Sequence, residues 1–369
     1  TGKTPSKNNS EDWGDDTLFI TPSDYQNYRK WADYSIRELS THGVERLSKK
    51  VLPVGSILVT CIGSDMGKVV MNKKDAITNQ QINSIIPNTD VVNPDFAYYL
   101  LVDLYETLRV YGGDGTAVPI VNKGDFEKID ALIPKNKEQH AIASVLSSLD
   151  DKIDLLHRQN QTLEQMAETL FRQWFVEEAD EEWEEGVLGN EFDFTMGQSP
   201  PGRSFNEEGV GTPIYQGNRD FGFRFPGNRV FTTEPKRFAE KFDTLISVRA
   251  PVGEQNMANE KCCIGRGVAA FRYKMNPAYY TYTFFKMKSL MVEIKQFNET
   301  GTVFGSISKS DFQEMEIVIP SSSKVKRFQK EAKPIDDKII TNCNQIRTLT
   351  ALRDTLLPKL MRGEVLVKN

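Results

Sequence analysis

The amino-acid sequence predicts an α+β protein: two duplicated domains with β-rich cores, separated by two long helices that pair as an antiparallel coiled coil in a pseudo-two-fold arrangement. Two observations carry this expectation. The stretch "GTAVPIVNKGDFEKIDALIP" at 115–134 recurs as "GTVFGSISKSDFQEMEIVIP" at 301–320, a constant offset of 186 residues (301 against 115). Downstream of each copy lies an apolar stripe that alternates by four and by three, the pattern of a coiled coil. Two copies at so long a period mean a duplicated domain plus linker, not a solenoid.

With 369 residues the chain has room for two or three domains and for sizeable cores. Its 39% hydrophobic and 26% charged residues are ordinary for a soluble globular protein. No apolar run approaches the roughly 20 residues that span a bilayer, and no signal-peptide pattern opens the chain, so no membrane partner is expected. Cys61, Cys262, Cys263 and Cys343 show neither CxxC spacing nor a disulfide framework. They read as buried or incidental thiols in a reducing cytoplasm, and no metal is expected. The net charge of −5 conceals a division. Residues 177–194 carry nine acids and no base, residues 195–305 carry fifteen Lys and Arg against ten Asp and Glu, and residues 1–115 carry twelve against fifteen. Local patches decide whether a polyanion binds, so the second half is the more anion-friendly.

Each copy opens with short β-rich runs between turn signals: "SILVTCI", "GKVVM" and "INSIIP" in the first, "TLISV", "CCIGRGVAAFRY" and "MEIVIP" in the second. A helical part follows. Leu149, Ile153, Leu156, Asn160, Leu163, Ala167, Leu170 and Trp174 form the first stripe; Ile335, Ile339, Asn342, Ile346, Leu349, Arg353, Leu356 and Leu360 stand at the matching places. A lone stripe of this kind is more often a core-facing amphipathic helix, whereas two matched stripes in one chain favour pairing with each other. A buried asparagine in such a seam fixes register at a cost in stability, a role that suits Asn160 or Asn342. Pro334 is placed to start the second helix and Pro358 to end or bend it. The acids of the repeated "DDKI", Asp150 and Asp151 with Asp336 and Asp337, fall in the first turns of the heptad segments, where negative charge is favourable. Phe171, Phe175 and Leu357 lie just off the stripe and read as outward apolar surface of the kind that docks a partner.

Catalytic signals are weak. "NPDF" (93–96) and "NPAY" (276–279) look like the Asn-Pro-Pro-aromatic motif of amino-methyltransferases, but a helix start with Asn as cap and Pro at the first position explains both better. "GGDG" (112–115) lacks the rest of a phosphate loop and reads as a turn. His42, His140 and His157 are scattered without ligand spacing. The acidic run 177–185 is a solvated connector. No catalytic constellation stands out.

"GTAVPIVNKGDFEKIDALIP" followed by a heptad helix ending "ETLFRQWFVE", then a second unit closing "LRDTLLPKLMRGEV", resembles the specificity subunit of type I restriction-modification enzymes. "TNQQINSIIP" (78–87) and "IGRGVAAF" (264–271) are also similar to that family's target-recognition domains. The likeness covers essentially the whole chain. It departs at the start: the second copy has a lead-in, "EEWEEGVLGNEFDF", with no counterpart in the first, so a lead-in of that kind is expected before Thr1. The resemblance implies target-recognition domains at 1–134 and 188–320 and helical spacers at 135–187 and 321–369. Each recognition domain would read one half of a bipartite, asymmetric double-stranded DNA site. The helices would set the gap and dock two modification (methyltransferase) subunits, which hold S-adenosylmethionine; motor-nuclease subunits would join for cleavage. The chain itself would be a non-catalytic subunit with no cofactor. A scaffold joining two proteins without nucleic acid, and a self-contained DNA methyltransferase, are the alternatives.

Arg, Gln and Asn are the side chains that make bidentate contacts with base edges in the major groove. In the second domain such residues are Gln216, Asn218, Arg219 and Arg224, on the loop "YQGNRDFGFR", with Arg249 and Arg266 after short strands. In the first domain the counterparts are Gln26, Arg29 and Lys30 in "YQNYRKW", then Lys68, Asn79 and Gln80.

Overall fold

In a computed structural model of the chain, residues 1–6, 8–63, 65–113, 120–180, 183–297 and 305–367 are described. The longest helices among them are α1 (Pro94–Asp103), α2 (Asn136–Arg172), α3 (Tyr280–Ser289) and α4 (Ser322–Met361). The two long ones, α2 and α4, start at positions separated by the repeat offset of 186. The chain divides into two units, Thr1–Leu155 with Ile346–Asn369, and Leu156–Gln345, so α2 and α4 each contribute one part to either unit. Gly115 and Thr116, with their twins Gly301 and Thr302, lie outside the described residues.

Every residue of both heptad stripes is buried or half-buried. In the second unit the register is antiparallel: Asn342 Nδ2 donates to Asn160 Oδ1 at 2.9 Å, while Phe171, further along α2, meets Phe328, earlier in α4, with ring centroids 5.4 Å apart. Asn160 also donates to Cys343 Sγ at 3.4 Å, and burial pushes that thiol up to about 11. In the first unit Asp150 of α2 holds Arg353 of α4 at 2.8 Å, which gives the one cation in the stripe a half-buried partner.

Each unit stacks its strands by the two-residue alternation of an extended chain. In the first, strand Ile57–Thr60 lies between Val69–Asn72 and Ile82–Ile85. Its Ile57 and Val59 face a core built with Phe96 and Tyr99 of α1, Leu146 of α2 and Leu360 of α4, whereas Leu58 faces Leu18, Ile20 and Ala76 of a second sheet. The second unit repeats this with strand Thr244–Ser247. Ile246 joins Phe171, Tyr282 and Phe328, and Leu245 joins Tyr215 and Ile264 on the other side.

Four expectations need correction. Helix α4 runs straight past Pro334, because the turns before it bury Val325, Phe328 and Ala332 in the core. That packing outweighs the roughly 3 kcal/mol a mid-helix proline costs. Pro358 sits within the last turn and the helix continues to Met361. Asp150 and Asp336 are consequently well inside their helices, and their charge answers cations rather than a helix terminus. Finally, Asn93 does cap α1, accepting from Phe96 N at 3.0 Å, but Asn276 accepts from Ala278 N in a local turn and α3 begins only at Tyr280.

One difference between the copies is large. Glu316–Ile319 pairs antiparallel with Glu184–Val187. The equivalent Asp130–Ile133 pairs with no strand among the described residues, and its Leu132 is 85% exposed.

Candidate nucleic-acid interface

Strand pairing gathers the basic and amide side chains of the second unit. Strands Thr212–Tyr215 and Cys262–Ile264 run parallel, Tyr215 beside Ile264, so the segments that leave them emerge together. Gly265 N donates to Tyr215 O at 2.9 Å, and Val268 N donates back to Gly265 O at 3.0 Å, which closes a turn with Arg266 and Gly267 at its tip. A β-carbon on Gly267 would lie 2.1 Å from Gln216 O, so only glycine allows this approach. Arg249 joins from the next strand, since Val248 N donates to Gly267 O at 2.9 Å. Gln216, Arg266 and Arg249 therefore share one rim, all three exposed, with half-buried Asn218 and exposed Arg219 following Gln216 after Gly217.

Among the described residues the charges on this rim are uncommitted. Arg229 and Arg272 in the same unit hold Asp220 and Asp243. Arg219, Arg249 and Arg266 hold no carboxylate among the described residues. An exposed guanidinium without an internal anion is disposed to meet an external one, and its planar fork matches a phosphate or a guanine edge.

The first unit builds the same rim from different residues. Strands Thr17–Ile20 and Ala76–Thr78 run parallel, Asn79 N donates to Ile20 O at 3.2 Å, and Ile82 N donates to Asn79 O at 3.4 Å. Gln80 thus takes the tip place of Arg266, and Ile62 takes that of Arg249, for the bridges Ile62 to Ile120 and Arg249 to Ser306 are equivalent. Asn79, at 9% exposure, is turned inward and donates to Gln81 Oε1 at 2.8 Å.

Two residues per rim escaped the reading of single segments. Lys3 N donates to Thr78 O, as Gln198 N donates to Ile264 O, both at 2.9 Å, which lays the openings "TGKTPS" and "TMGQSP" along the tips. Thr4 Oγ1 then donates to Gln80 Oε1 at 2.7 Å, and Ser199 Oγ accepts from Arg266 N at 3.2 Å. The two openings are weakly similar in sequence, T-G-K-T-P against T-M-G-Q-S-P, and this was the available signal.

Lys30 and Arg224 do not belong to the interface. Their carbonyls accept from Met71 N and Met257 N, so they too are equivalent. Lys30 is 5% exposed and Arg224 not at all. Lys30 Nζ reaches Asp95 at 2.7 Å and Ser147 of α2 at 3.0 Å, with Tyr99 under it. Arg224 lies 2.5 Å from Glu164 of α2 and 3.4 Å from Asp336 of α4, over the ring of Phe284. Burial raises the Asp336 carboxyl above the usual carboxylate range, and the Arg224 charge opposes that rise. Both cations bind the β-rich part of their own unit to the helical part. A cation buried to this depth, its charge engaged inside its own unit, is out of reach of a base.

Of the remaining first-unit candidates, Arg29 is exposed but reaches Asp154 of α2 at 2.6 Å, and Lys68 pairs with Asp65 at 2.7 Å. Gln26 is exposed beside both, on the wall of a cleft of about 580 Å³ with Tyr25, Tyr28 and Tyr98. On the helices the apolar docking residues are also corrected. Phe171, Phe175 and Leu357 are at most 9% exposed, because the β-rich part of each unit covers the helix flank that the heptad leaves open. Among the described residues no group of His, Cys, Asp and Glu could hold a metal ion, and no helix is long and apolar enough to cross a membrane.

Comparison with known proteins gives a consistent answer. The family described as type I restriction modification DNA specificity domain matches residues 1–165 and again 180–350. The type I restriction enzyme MjaIX specificity subunit of Methanocaldococcus jannaschii is 29% identical over 400 residues, covering 100% of this chain and 91% of that protein. The HindI specificity subunit of Haemophilus influenzae is 23% identical, covering 86% and 88%. The crystal structure of a type I restriction-modification system S subunit from M. genitalium superposes with a TM-score of 0.59 at 21% identity, covering 97% of this chain and 92% of that one, which shows the shared fold.

Proposed function

This chain belongs to the type I restriction modification DNA specificity family, and from that premise we propose that each of its two units reads one half of a bipartite, asymmetric sequence in duplex DNA. The observation that supports this most is the rim built twice by one strand topology, carrying Gln216, Arg249 and Arg266 in one copy and Gln80 in the other. A scaffold for two identical partners would gain nothing from keeping the frame and changing the side chains on it. A reader of two different half-sequences needs that combination.

The chain acts as the non-catalytic, sequence-choosing subunit of a larger complex. Its helices α2 and α4 set the gap between the half-sequences and dock two modification subunits, which supply S-adenosylmethionine and the methyl-transfer chemistry; motor-nuclease subunits join for cleavage. Duplex binding by the complex of this chain with its modification subunits, measured over a salt series, tests the reading. Phosphate contacts give a steep fall of log affinity with log salt, about 0.9 per phosphate neutralised. A flat response would favour the scaffold. Methyl transfer by the chain alone would overturn the non-catalytic assignment.

A further inference from the structure

We propose that Gln80 and Arg266 are the specificity-determining pair of the two units, reading adenine and guanine respectively at one equivalent base pair of each half-site. The inference rests on the sequence-specificity reading above and deepens it.

Both side chains occupy the second position of a four-residue turn that joins a strand of the parallel pair to the next strand. The turns are Asn79–Ile82 and Gly265–Val268, closed at 3.4 Å and 3.0 Å. Both side chains are exposed at the tip. Both tips are pinned by the opening segment of their own unit: Thr4 Oγ1 holds the Gln80 side chain, and Ser199 Oγ holds the Arg266 backbone. A held backbone loses little freedom on binding, which a specific contact requires. At the tip both units carry a polar side chain able to make two parallel hydrogen bonds to a single base. At the neighbouring place Arg249 is matched by Ile62, which can meet a thymine methyl but cannot hydrogen-bond.

The chemistry then divides. Arginine offers donors only, and its fork fits the two acceptors of guanine, O6 and N7. Glutamine offers a donor and an acceptor, the complement of adenine N7 and N6. The bond from Thr4 occupies one lone pair of Gln80 Oε1 and leaves the second for the adenine amino group.

The test is selection from a random duplex library by the full chain in complex with its modification subunits, run in parallel for wild type, Arg266→Gln, Gln80→Arg and Arg266→Lys. Both positions are exposed, so melting temperatures should match wild type. Arg266→Gln should change guanine to adenine at one base pair of one half and leave the other half intact. Gln80→Arg should make the reverse change in the other half only. Each preference should move by roughly 10- to 100-fold. Arg266→Lys keeps the charge but not the fork and should relax the guanine preference without installing a new one. Variants that select the wild-type motif unchanged would overturn the pair while leaving the specificity reading intact. A wild-type complex that selects no motif would overturn that reading and the pair with it.

Discussion

Lys30 and Arg224 hold the same place in the two units, yet they are buried in different company. Arg224 is sealed between two carboxylates that are 12% and 0% exposed, whereas Lys30 meets a single carboxylate, Asp95, that is 41% exposed. At the rim the contrast takes another form: the exposed tips Gln80 and Arg266 differ in chemistry while their turns are closed by matching backbone hydrogen bonds. The frame tolerates replacement at both depths, but inside the unit a new cation needs new anions. At the rim an exposed side chain needs no buried counter-charge from the protein. That is why a duplicated domain can diverge in what it reads while keeping how it folds.

The largest effect expected from this comparison is on stability. Arg224→Ala leaves Glu164 and Asp336 without their shared cation and should cost about 3–5 kcal/mol, seen as a lower urea midpoint. Lys30→Ala should cost about 1–3 kcal/mol, because Asp95 can turn to water. Equal losses would break the contrast. A pH series sharpens it. Removing Arg224 takes away the charge that restrains Asp336, so its folded pKa, already raised by burial, climbs further. A carboxyl with a raised folded pKa holds its proton more tightly folded than unfolded. The variant should therefore regain stability as pH falls from neutral through that raised value toward about 4, and the wild type should regain less.

The seam between α2 and α4 gives a smaller effect. Asn342→Ala removes the donor to Asn160 Oδ1 and should cost about 1–3 kcal/mol. The double change Asn160→Leu with Asn342→Leu should instead stabilise the helices and relax their register. Hydrogen exchange along both helices would report both results; a destabilised double variant would mean the asparagines do more than fix register. Smallest in stability, and confined to binding, is Arg219→Ala: about 1–3 kcal/mol of sequence-specific affinity is lost if it reads a base. Arg29→Ala, whose charge Asp154 already engages in solvent, should cost at most about 1 kcal/mol. Equal losses for the two arginines would show that internal pairing does not decide which of them meets DNA.

Much of this was legible in the sequence, for reasons that can be named. The repeat offset locates the start of α4 from that of α2, and the four-three stripe identifies the buried seam down to Asn160 and Asn342. Stripe residues are fixed by helix geometry alone, which periodicity encodes directly. Lys30 and Arg224 were misread because a cation in a turn rich in Gly, Asn and aromatic residues resembles a surface residue, and their partners lie far away in sequence: Ser147, Glu164 and Asp336. Phe171, Phe175 and Leu357 were misread because a heptad describes contact with one neighbour, while each helix here also meets a β-rich wall. Gln198 and Lys3 were missed because only strand register places the opening segments beside the tips.

The central claim is that two readers of different sequence are joined by helices that fix the gap between their half-sites. Inserting four residues near Gln161 of α2 tests this most directly, with selected sites mapped by methylation in the complete complex. Each added residue turns a helix by about 100° and advances it by about 1.5 Å. The account predicts that both half-sequences survive and the number of base pairs between them changes. The same gap with the insertion in place would contradict it.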